Sequence, residues 1–443
     1  MTVSDRPHRI VIVGAGFAGY HAARALSRKL RHDDVEIVLV NPNDYFLYLP
    51  LLPEVATGVL EPRRVTVSLA GTLPRVRLVL GEVHGVDLEK RRISYTDPED
   101  RQGSLEYDRL VLSVGSVNKL LPIPGIAEHA RGFRGMPEAL YLRDHISRQM
   151  ALASTEPDPA RRRARRTFVV VGAGYTGTEV AAHGKLFTDS LARQHTDHHD
   201  EDPRWLLVDI APRILPELDR RLSRTSDRVL RQRGVEIRTR TAVKEATSRA
   251  VVLDSGETVD THTLVWCVGV RPDPLVHDLG LPTDNGRLIV NPYLAVPGHP
   301  EVLACGDAAA VPDLTRPGQI TPMTAQHASR QGKTAAHNIA AALGHGKPRA
   351  YRHHDLGFAI DLGGVHAAAN PLHIPLSGPV ANLVTRGLHL STLPGNRARV
   401  TNDWLLNAVL PRQAVQLGLV RSGSVPLDTT APYAPLTPSH SRE

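Results

Sequence analysis

Two segments of this chain are rich in glycine and share one spacing. Both follow the pattern Gly-x-Gly-x-x-Gly and comprise Gly14, Gly16 and Gly19 in the first copy and Gly172, Gly174 and Gly177 in the second. In such a pattern the first glycine permits a tight turn, the second lets a pyrophosphate approach the backbone, and the third lets a helix pack closely on a strand. The phosphates then lie at the positive N-terminus of that helix. The chemistry indicated is the binding of two dinucleotides.

Each glycine segment lies between a strand-like stretch and a helix-like stretch. Apolar, β-branched runs at residues 9–13 and 167–171 precede the glycines and are typical of buried strands. Stretches that contain several alanines, at residues 22–26 and 178–182, follow them with helical spacing. One such glycine string is a weak signal, whereas two copies that each join a strand to a helix predict two dinucleotide-binding domains.

The residue at the end of the next strand indicates how each ribose is bound. The run Val35–Val40 ends at Asn41, where the fingerprint expects an acid, although an amide can also hydrogen-bond a diol. The run Trp205–Val208 ends at Asp209, a carboxylate suited to the 2′-hydroxyl of NADH and repelled by the 2′-phosphate of NADPH. Arg213 lies nearby and weakens this preference. We therefore predict that the second domain prefers NADH.

Three more strand-like runs end in glycine. They end at Gly115, Gly269 and Gly306, and Asp307 follows the last of them. Because the first two each close a strand that follows one of the glycine segments, we interpret them as paired exits from the two predicted domains.

Length and composition narrow the class of protein. The 443 residues predict two or three domains, and 41% hydrophobic with 22% charged residues is ordinary for a globular chain, which excludes disorder over most of the length. The chain has no uninterrupted apolar run of about 18 residues, and residues 1–9 lack the apolar core of a secretory signal. We therefore expect a cytoplasmic protein.

The charge and the polar segments indicate few partners by themselves. The net charge of +7 would attract nucleic acid, anionic lipid or anionic metabolites. The densest basic run, residues 161–166, has no RNA-binding aromatic pattern beside it, so we interpret it as a solvated linker and expect no nucleic-acid partner. The insertion at residues 194–202 contains three histidines and several acids; we favour a solvated loop over a metal site there.

The two cysteines are single residues in apolar settings. Cys267 and Cys305 therefore argue against a disulfide scaffold or a cysteine-based zinc site, and Cys305 is interpreted as a small buried hydrophobe.

With these motifs in this order, the chain resembles the flavoprotein superfamily in which an NAD-binding domain is inserted within an FAD-binding domain. The segments 43–52, 55–58, 324–332 and 399–404 resemble the type II NADH dehydrogenases, and the overall resemblance covers about residues 8–340. It implies an α/β fold with two Rossmann-like dinucleotide-binding domains and a smaller C-terminal region. The expected division is residues 1–120 and 286–346 for the FAD-binding domain, 121–285 for the NAD-binding domain, 347–420 for the C-terminal region and 421–443 for a disordered tail.

The resemblance implies FAD as the cofactor and NADH as the electron donor. The residues expected at the FAD are Gly14, Gly16, Gly19, Asn41, Gly115, Gly306, Asp307 and Ala325. Asp307 matches the family position that binds the ribityl chain. The residues expected at the NADH are Gly172, Gly174, Gly177, Asp209 and Gly269.

Three further residues correspond to the family's positions beside the reacting groups. Glu179 matches a carboxylate near nicotinamide and flavin, although compensation of the helix N-terminal charge is an alternative role. Gln326 matches the first glutamine of the quinone pocket, whereas Arg330 replaces the second, with Gln331 beside it. An arginine there hydrogen-bonds a quinone, blocks the pocket or selects an anionic acceptor. His327 is interpreted as a packing residue.

The reaction implied is hydride transfer from NADH to FAD, followed by transfer of two electrons to a quinone without proton pumping. Two alternatives stay open: a reductase with a soluble acceptor, which Arg330 favours, and a redox sensor that binds both nucleotides with negligible turnover. Residues 20–60 contain no cysteine, which excludes disulfide reduction and sulfide oxidation, because those relatives need cysteines near the flavin.

The C-terminal region contains two stretches with apolar residues at helical spacing, residues 380–388 and 400–409. They are flanked by Arg386, Arg397, Arg399 and Arg412. Docking on an anionic membrane surface and docking on the protein's own core explain this pattern equally well. The protein is thus expected in the cytoplasm, either free or peripheral on the inner face of the cell membrane. The oligomeric state, including a homodimer, stays open.

Overall fold

The computed structural model describes residues 7–32, 35–194, 202–412 and 414–429, and its largest sheet contains the first predicted strand. The β-branched side chains of Ile10, Val11 and Ile12 are fully buried, as in a strand covered on both faces. The first sheet has six strands, which are parallel except for one edge. Their spatial order is Ala295–Val296, His299–Ala304, Arg109–Leu112, His8–Val13, Val35–Asn41 and Arg77–Leu80.

The second sheet is entirely parallel. At its centre lies the strand predicted before the second glycine segment. Its five strands lie in the order Arg131–Gly132, Thr263–Trp266, Thr167–Val171, Arg204–Asp209 and Val235–Thr239. The first sheet takes its strands from before residue 113 and after residue 294, and the second sheet takes its strands from between them. The predicted α/β fold, with one Rossmann-like unit inserted in another, is therefore confirmed.

The helices of the described residues cover the faces of the two sheets and form the C-terminal region. In chain order they are α1 (Phe17–Lys29), α2 (Leu52–Ala56), α3 (Pro62–Val65), α4 (Leu69–Thr72), α5 (Ile126–His129), α6 (Met136–Ser154), α7 (Pro159–Arg165), α8 (Tyr175–Gln194), α9 (Arg220–Gln232), α10 (Pro274–Asp278), α11 (Ala325–Ala342), α12 (Gly378–Thr392) and α13 (Arg397–Val409). Single 3-10 turns lie at Leu49–Leu51, Gly306–Ala308, Pro371–His373 and Ser422–Ser424. None of these helices is long and apolar enough to cross a bilayer.

Smaller sheets complete the fold. Four have three strands each: Glu82–Asp87, Arg92–Thr96 and Gln102–Glu106; Val243–Ala246, Ala250–Leu253 and Thr258–Asp260; Thr283–Asp284, Arg287–Ile289 and Ala309–Ala310; and Ala359–Asp361, Ala367–Ala369 and Leu376–Ser377. Two have two strands each: Tyr45–Leu47 with Thr66–Ser68, and Ser116–Asn118 with Val270–Pro272.

The two-stranded sheet of Ser116–Asn118 and Val270–Pro272 connects the two large units. Gly115 and Gly269 directly precede its two strands, and each accepts a hydrogen bond across the junction, Gly115 from the amide of Asp273 (3.2 Å) and Gly269 from that of Lys119 (3.1 Å). The two predicted exits therefore lie side by side, and the chain passes between the units at one place.

Helices α1 and α11 pack tightly against each other on the first sheet. A Cβ atom on Gly332 would lie 2.0 Å from the carbonyl oxygen of Ala18, so this crossing admits only glycine at that position. Because of this close approach, α11 lies beside the helix that follows the first glycine segment.

The C-terminal stretches form the helices α12 and α13, as their periodicity predicts. Each helix divides its apolar residues between two environments. On α13, Val400 and Trp404 are 0% and 6% exposed, whereas Leu405 and Val409 are 63% and 82% exposed. One part of the predicted stripe thus packs on the protein's own core, and another part faces outward.

The segment from Arg421 to Thr429 is described by the structure and packs on the second unit. Disorder is predicted from Arg421, yet Leu427 is fully buried in the core of the second sheet and its carbonyl accepts from Nδ2 of Asn118 (3.2 Å). A single leucine that fits an apolar pocket anchors this segment, and the composition of a proline-rich tail does not reveal it. Residues 430–443 lie outside the described residues, as does most of the polar insertion, residues 195–201.

Candidate functional site

The first glycine loop joins the first strand of the chain to α1. A Cβ atom on Gly14 would lie 2.5 Å from the carbonyl oxygen of Ser113, and one on Gly19 would lie 1.8 Å from that of Gly14. Among the described residues, nothing lies within 4 Å of a Cβ built on Gly16. The outer two glycines therefore let strand, loop and helix pack together, and the middle one leaves the backbone open to a pyrophosphate.

The second glycine loop repeats this construction before α8. A Cβ on Gly172 would lie 2.2 Å from the carbonyl oxygen of Cys267, and one on Gly177 would lie 1.8 Å from that of Gly172. The space around a Cβ on Gly174 is again open within the described part of the chain. Each of the two large sheets thus carries one cradle of the shape that a dinucleotide pyrophosphate fits.

Asn41 supports the first loop from the end of the neighbouring strand. Its Oδ1 accepts a hydrogen bond from the amide of Ala15 (2.8 Å), and its Nδ2 donates to the carbonyl of Asn43 (2.8 Å). The amide group is uncharged and orients the loop, and the remaining lone pair and N–H stay suited to a ribose diol.

Asp209 occupies the equivalent position beside the second loop. Its two carboxylate oxygens accept from the amides of Ala173 (2.5 Å) and Ala211 (2.6 Å), so the charge is held at the loop. The guanidinium of Arg213 donates to the carbonyl oxygens of Leu215, Pro216 and Leu218. The arginine that weakened the predicted preference for NADH is therefore engaged in its own loop.

The Gly306–Asp307 turn lies at the end of a first-sheet strand and is held from two sides. Oδ2 of Asp307 accepts from the hydroxyl of Ser116 (2.7 Å), and the amide of Gly306 donates to Oε1 of Gln331 (2.8 Å). Gln331 is buried and also donates to the hydroxyl of Thr321 (2.9 Å). Ser116 and Gln331 were not among the predicted site residues; only their proximity to the glycine exit and to Gln326 in the sequence could have suggested them.

Helix α11 begins beside this turn, and Thr324 caps it by accepting from the amide of His327 (3.3 Å). Ala325 is its first residue, and Nε2 of Gln326 donates to the carbonyl of Gly357 (2.8 Å). The guanidinium of Arg330 bonds to Nδ1 of the His353 ring (3.2 Å) and to the carbonyl of His354. Arg330 therefore contacts the segment that follows Tyr351; its contact with an acceptor stays a prediction.

His327 packs inside a small cluster of rings. Its ring lies 3.9 Å from that of His353 in a stacked arrangement, and its Nδ1 is 2.9 Å from the hydroxyl of Tyr351. Burial, with the nearby His353 and Arg330, lowers the pKa of His327 to about 4. These contacts are those of a neutral packing residue.

Glu179 lies in α8, beyond the first helical turn, and reaches a different element. Its Oε1 accepts a hydrogen bond from the amide of Asp361 (3.0 Å). Burial, and then the nearby carboxylates of Asp361 and Glu54, raise the pKa of Glu179 well above its ordinary value. A carboxyl that bonds a distant strand and favours its neutral form does not compensate the charge of its own helix N-terminus.

A second buried carboxyl, which was not among the predicted site residues, lies close to Glu179. Glu54, on α2, is only 3% exposed, and its Oε2 accepts from the indole Nε1 of Trp404 (2.6 Å). The available signal was its position as the one charged residue in the apolar run 49–56. Buried acids whose pKa is shifted by their surroundings are found preferentially at functional sites.

The two cysteines contribute no reactive thiol. Cys305 is fully buried, and burial raises the pKa of both Cys305 and Cys267 to about 12, so both remain protonated at neutral pH. The carbonyl oxygen of Cys267 instead forms part of the second cradle.

Two Rossmann-like units joined at one crossing, each with a glycine cradle, define a class of oxidoreductases with two dinucleotide-binding domains. The family model for pyridine nucleotide-disulphide oxidoreductases matches residues 8–332. Type II NADH:quinone oxidoreductase NdhA of Mycobacterium tuberculosis (strain ATCC 25618 / H37Rv) is 31% identical over 407 residues, which is 89% of this chain and 85% of that protein. The chain belongs to the pyridine nucleotide-disulphide oxidoreductases and, within them, to the type II NADH:quinone oxidoreductases.

Two further likenesses agree with this assignment. Demethylphylloquinone reductase NdbB of Synechocystis sp. (strain ATCC 27184 / PCC 6803 / Kazusa) is 30% identical and covers 91% of this chain and 99% of its own length. The structure of NDH2 from Plasmodium falciparum in complex with NADH superposes with a TM-score of 0.85 at 18% identity, over 93% of this chain and all of that one. The predicted family and fold are confirmed.

Proposed function

We propose that the protein oxidises NADH and transfers two electrons, by way of FAD, to a quinone without pumping protons. One observation carries this proposal: the segment 357–361 contacts both halves of the site. The Gly357 carbonyl holds Gln326 at the start of α11, and the Asp361 amide holds Glu179 near the start of α8. The functional helices of the two nucleotide units therefore meet at one short segment, as direct transfer between two nucleotides requires.

The first cradle fits FAD. The open backbone at Gly16 would accept the pyrophosphate, Asn41 would face the ribose, and Asp307, fixed by Ser116, would hold the ribityl chain. When bound, FAD accepts a hydride from a nicotinamide and returns two electrons to an acceptor. The N-terminus of α11, capped by Thr324, would stabilise negative charge at the flavin ring.

The second cradle fits NADH. Gly174 leaves room for the pyrophosphate, and Asp209 presents a fixed negative charge where a ribose 2′-hydroxyl, but not a 2′-phosphate, is favourable. Glu179 follows this cradle on α8 and positions a protonatable group beside the segment that both units share. Gln326 and Arg330 on α11 are the residues that we assign to the acceptor side.

The test is spectroscopic and uses the purified holoprotein. The proposal requires a yellow protein whose visible absorbance bleaches with NADH and returns on addition of a short-chain quinone. A protein without flavin, or one whose flavin NADH leaves oxidised, would contradict it. Reoxidation by soluble dyes but not by quinones would favour the reductase with a soluble acceptor, and negligible turnover despite rapid bleaching would favour the sensor.

We infer that the protein docks on an anionic membrane surface through the outward faces of α12 and α13. Large apolar side chains there are highly exposed: Val380, Leu383, Leu405 and Val409. Arg397 and Arg399 are exposed at the start of α13, so cations border the apolar surface. Apolar side chains with a basic border are the pattern of helices that lie in a membrane interface.

Sedimentation with liposomes tests this inference. The protein should bind phosphatidylglycerol vesicles more strongly than phosphatidylcholine vesicles, and the double variant Leu383→Glu with Val409→Glu should lose that binding. Leu152→Glu, an exposed leucine on α6, is the matched control and should bind normally. If the double variant instead converts a dimer to a monomer without changing liposome binding, this surface is an interface between copies of the chain.

A further inference from the structure

A cluster of buried acids lies where α2, α8 and the sheet that begins at Ala359 meet. Glu54 and Asp361 are 3% and 8% exposed. Oδ1 of Asp361 accepts from the amide of Gly363 (2.7 Å), and its Oδ2 lies 3.6 Å from Nε2 of His183. Glu54 is fixed on its other side by the indole of Trp404. The side chains of Glu54 and Asp361 are hydrogen-bonded to each other. Two buried carboxyls are thus in contact, and the other contacts of Asp361 favour its anion.

The cluster is joined to the site. The backbone amide of Asp361 is the group that bonds Oε1 of Glu179, two residues beyond the last glycine of the second cradle. On the opposite side, Trp404 belongs to α13, whose outward residues form the proposed membrane-docking face. The two carboxyls therefore lie between the residue beside the nucleotide cradle and the face from which a membrane-dissolved acceptor would arrive.

Charged and titratable groups from the neighbouring elements face the two carboxyls. Arg386 of α12 and Arg412 lie toward Glu54, and Arg386 also covers the ring of Trp404 at 4.9 Å. The groups that lie toward Asp361 are His183 of α8, Arg233 beside α9 and His389 of α12. Glu179 faces both carboxyls.

Because of these surroundings, a proton shared by the two carboxyls is held mainly by Glu54. Burial, and then the negative charge of Asp361, raise the pKa of Glu54 well above its ordinary value. Burial opposes ionisation of Asp361 as well, yet His183 and the Gly363 amide outweigh it and hold the pKa of Asp361 below its ordinary value. Two close carboxyls that cannot both ionise hold a single proton between them at neutral pH.

We propose that Glu54 and Asp361 form a carboxyl pair that stores the proton taken up when the quinone is reduced. The inference rests on the proposed function. Oxidation of NADH delivers two electrons and one proton as a hydride, whereas a quinol carries two more hydrogens than its quinone. One further proton must therefore come from the protein. The O–H bond of Glu54 breaks, an O–H bond of the quinol forms, and water restores the proton to Glu54.

Infrared spectroscopy of the oxidised holoprotein, without NADH or quinone, tests the stored proton directly. The wild-type spectrum minus that of Glu54→Gln should contain, at neutral pH, a carboxylic-acid C=O band that shifts in D₂O and disappears only at a pH well above the ordinary pKa of a glutamate. Glu301→Gln removes a buried carboxyl on the first sheet and is the matched control; its difference spectrum should contain no such band. A missing band for Glu54→Gln at neutral pH would overturn the proposal.

Two milder variants should move this titration in opposite directions. Asp361→Asn removes the nearby negative charge and should shift the disappearance of the band to lower pH. Trp404→Phe removes the N–H that stabilises the Glu54 anion and should shift it to higher pH. A purely structural role predicts no such opposed shifts. These variants also keep the proposal testable if Glu54→Gln does not fold, and unchanged titrations in both would overturn it.

Stopped-flow kinetics separates this proposal from the proposed function. Glu54→Gln should leave bleaching by NADH within about twofold of the wild type and slow reoxidation by quinone by about 100-fold, the usual contribution of a positioned acid. In the wild type, reoxidation should slow over the same pH range in which the infrared band disappears, and the variant should lose this dependence. Normal reoxidation in Glu54→Gln overturns the proton store alone, whereas failure of NADH to bleach the wild type overturns the proposed function and leaves the infrared result standing.

Discussion

The two glycine cradles share their backbone construction and differ at one supporting side chain. In both, the residue at the end of the adjacent strand accepts a hydrogen bond from the second residue of the loop, Ala15 in the first and Ala173 in the second. That supporting residue is the neutral Asn41 in one cradle and the anionic Asp209 in the other. We therefore expect phosphate binding to depend on backbone geometry, which both copies keep, and discrimination between nucleotides to depend on the charge beside the ribose.

This difference suits the two ligands. A resident cofactor such as FAD needs retention and has no 2′-phosphorylated competitor, so a neutral amide is sufficient. Under the proposed function NADH must be selected from NADPH at every turnover, and we expect the charge of Asp209 to supply that selection because Arg213 is bound to its own loop.

The largest effects should come from the close-packed glycines. A methyl group at Gly19 or Gly177 would lie 1.8 Å from a carbonyl oxygen, which forces strand and helix apart. We expect Gly19→Ala to lose bound FAD. Gly177→Ala should keep FAD, but the rate at which NADH bleaches the flavin should fall by about 100-fold or more, a cost of roughly 3 kcal/mol. Flavin content and stopped-flow bleaching measure the two effects.

Gly85→Ala, in a peripheral sheet where the nearest atom is 3.9 Å away, is the control and should behave as the wild type. Loss of FAD from Gly177→Ala would show that the two cradles do not fold independently.

A smaller effect should follow when the second cradle is given the side chain of the first. Asp209→Asn removes the charge that opposes a 2′-phosphate, and the ratio of kcat/KM for NADH to that for NADPH should fall by about tenfold or more, because charges about 4 Å apart interact by roughly 1–4 kcal/mol near a protein surface. An NADPH preference in the wild type would show that Arg213 dominates, and Arg213→Gln would then reverse it.

Giving the first cradle the side chain of the second should have a smaller effect, which is on the retention of FAD. Asn41→Asp keeps the acceptor for Ala15 but loses the donor to the Asn43 carbonyl. We expect FAD to dissociate faster by less than about tenfold, the cost of roughly one hydrogen bond. Flavin release in a dilution series measures this. A rate that exceeds the effect of Gly19→Ala would mean that the side chain, and not the backbone, retains the cofactor.

The smallest effect is expected at Arg330. Its guanidinium bonds to the segment 353–354, so Arg330→Gln should leave NADH bleaching unchanged and keep quinone reductase activity within about threefold of the wild type or raise it. Gln326→Ala, which releases the Gly357 carbonyl, should lower quinone reduction more strongly. Steady-state assays with a quinone and a soluble dye distinguish them. Loss of activity with an anionic acceptor alone would instead identify Arg330 as its binding residue.

The family resemblance implied the insertion of one unit in the other, whereas the sequence pattern by itself determined the two cradles and their order. Those features follow from short-range physics, since β-branched runs, glycine spacing and helical periodicity act over a few residues. The helices α12 and α13 were predictable for the same reason. The sequence did not predict which of their faces is buried. Val400 and Leu405 are both apolar in the sequence, and only the packing of α13 buries one and exposes the other.

Only the tertiary structure decided the chemistry of the buried acids. Glu54 and Trp404 are 350 residues apart in the sequence, and neither carries a local signal of the other. The contact between Glu179 and Asp361 and the hydrogen bonds of Arg330 to the segment 353–354 also join residues that carry no local signal of each other. The protonation of a carboxyl depends on which distant elements exclude water from it and which charges they bring, and that is a property of the folded arrangement alone.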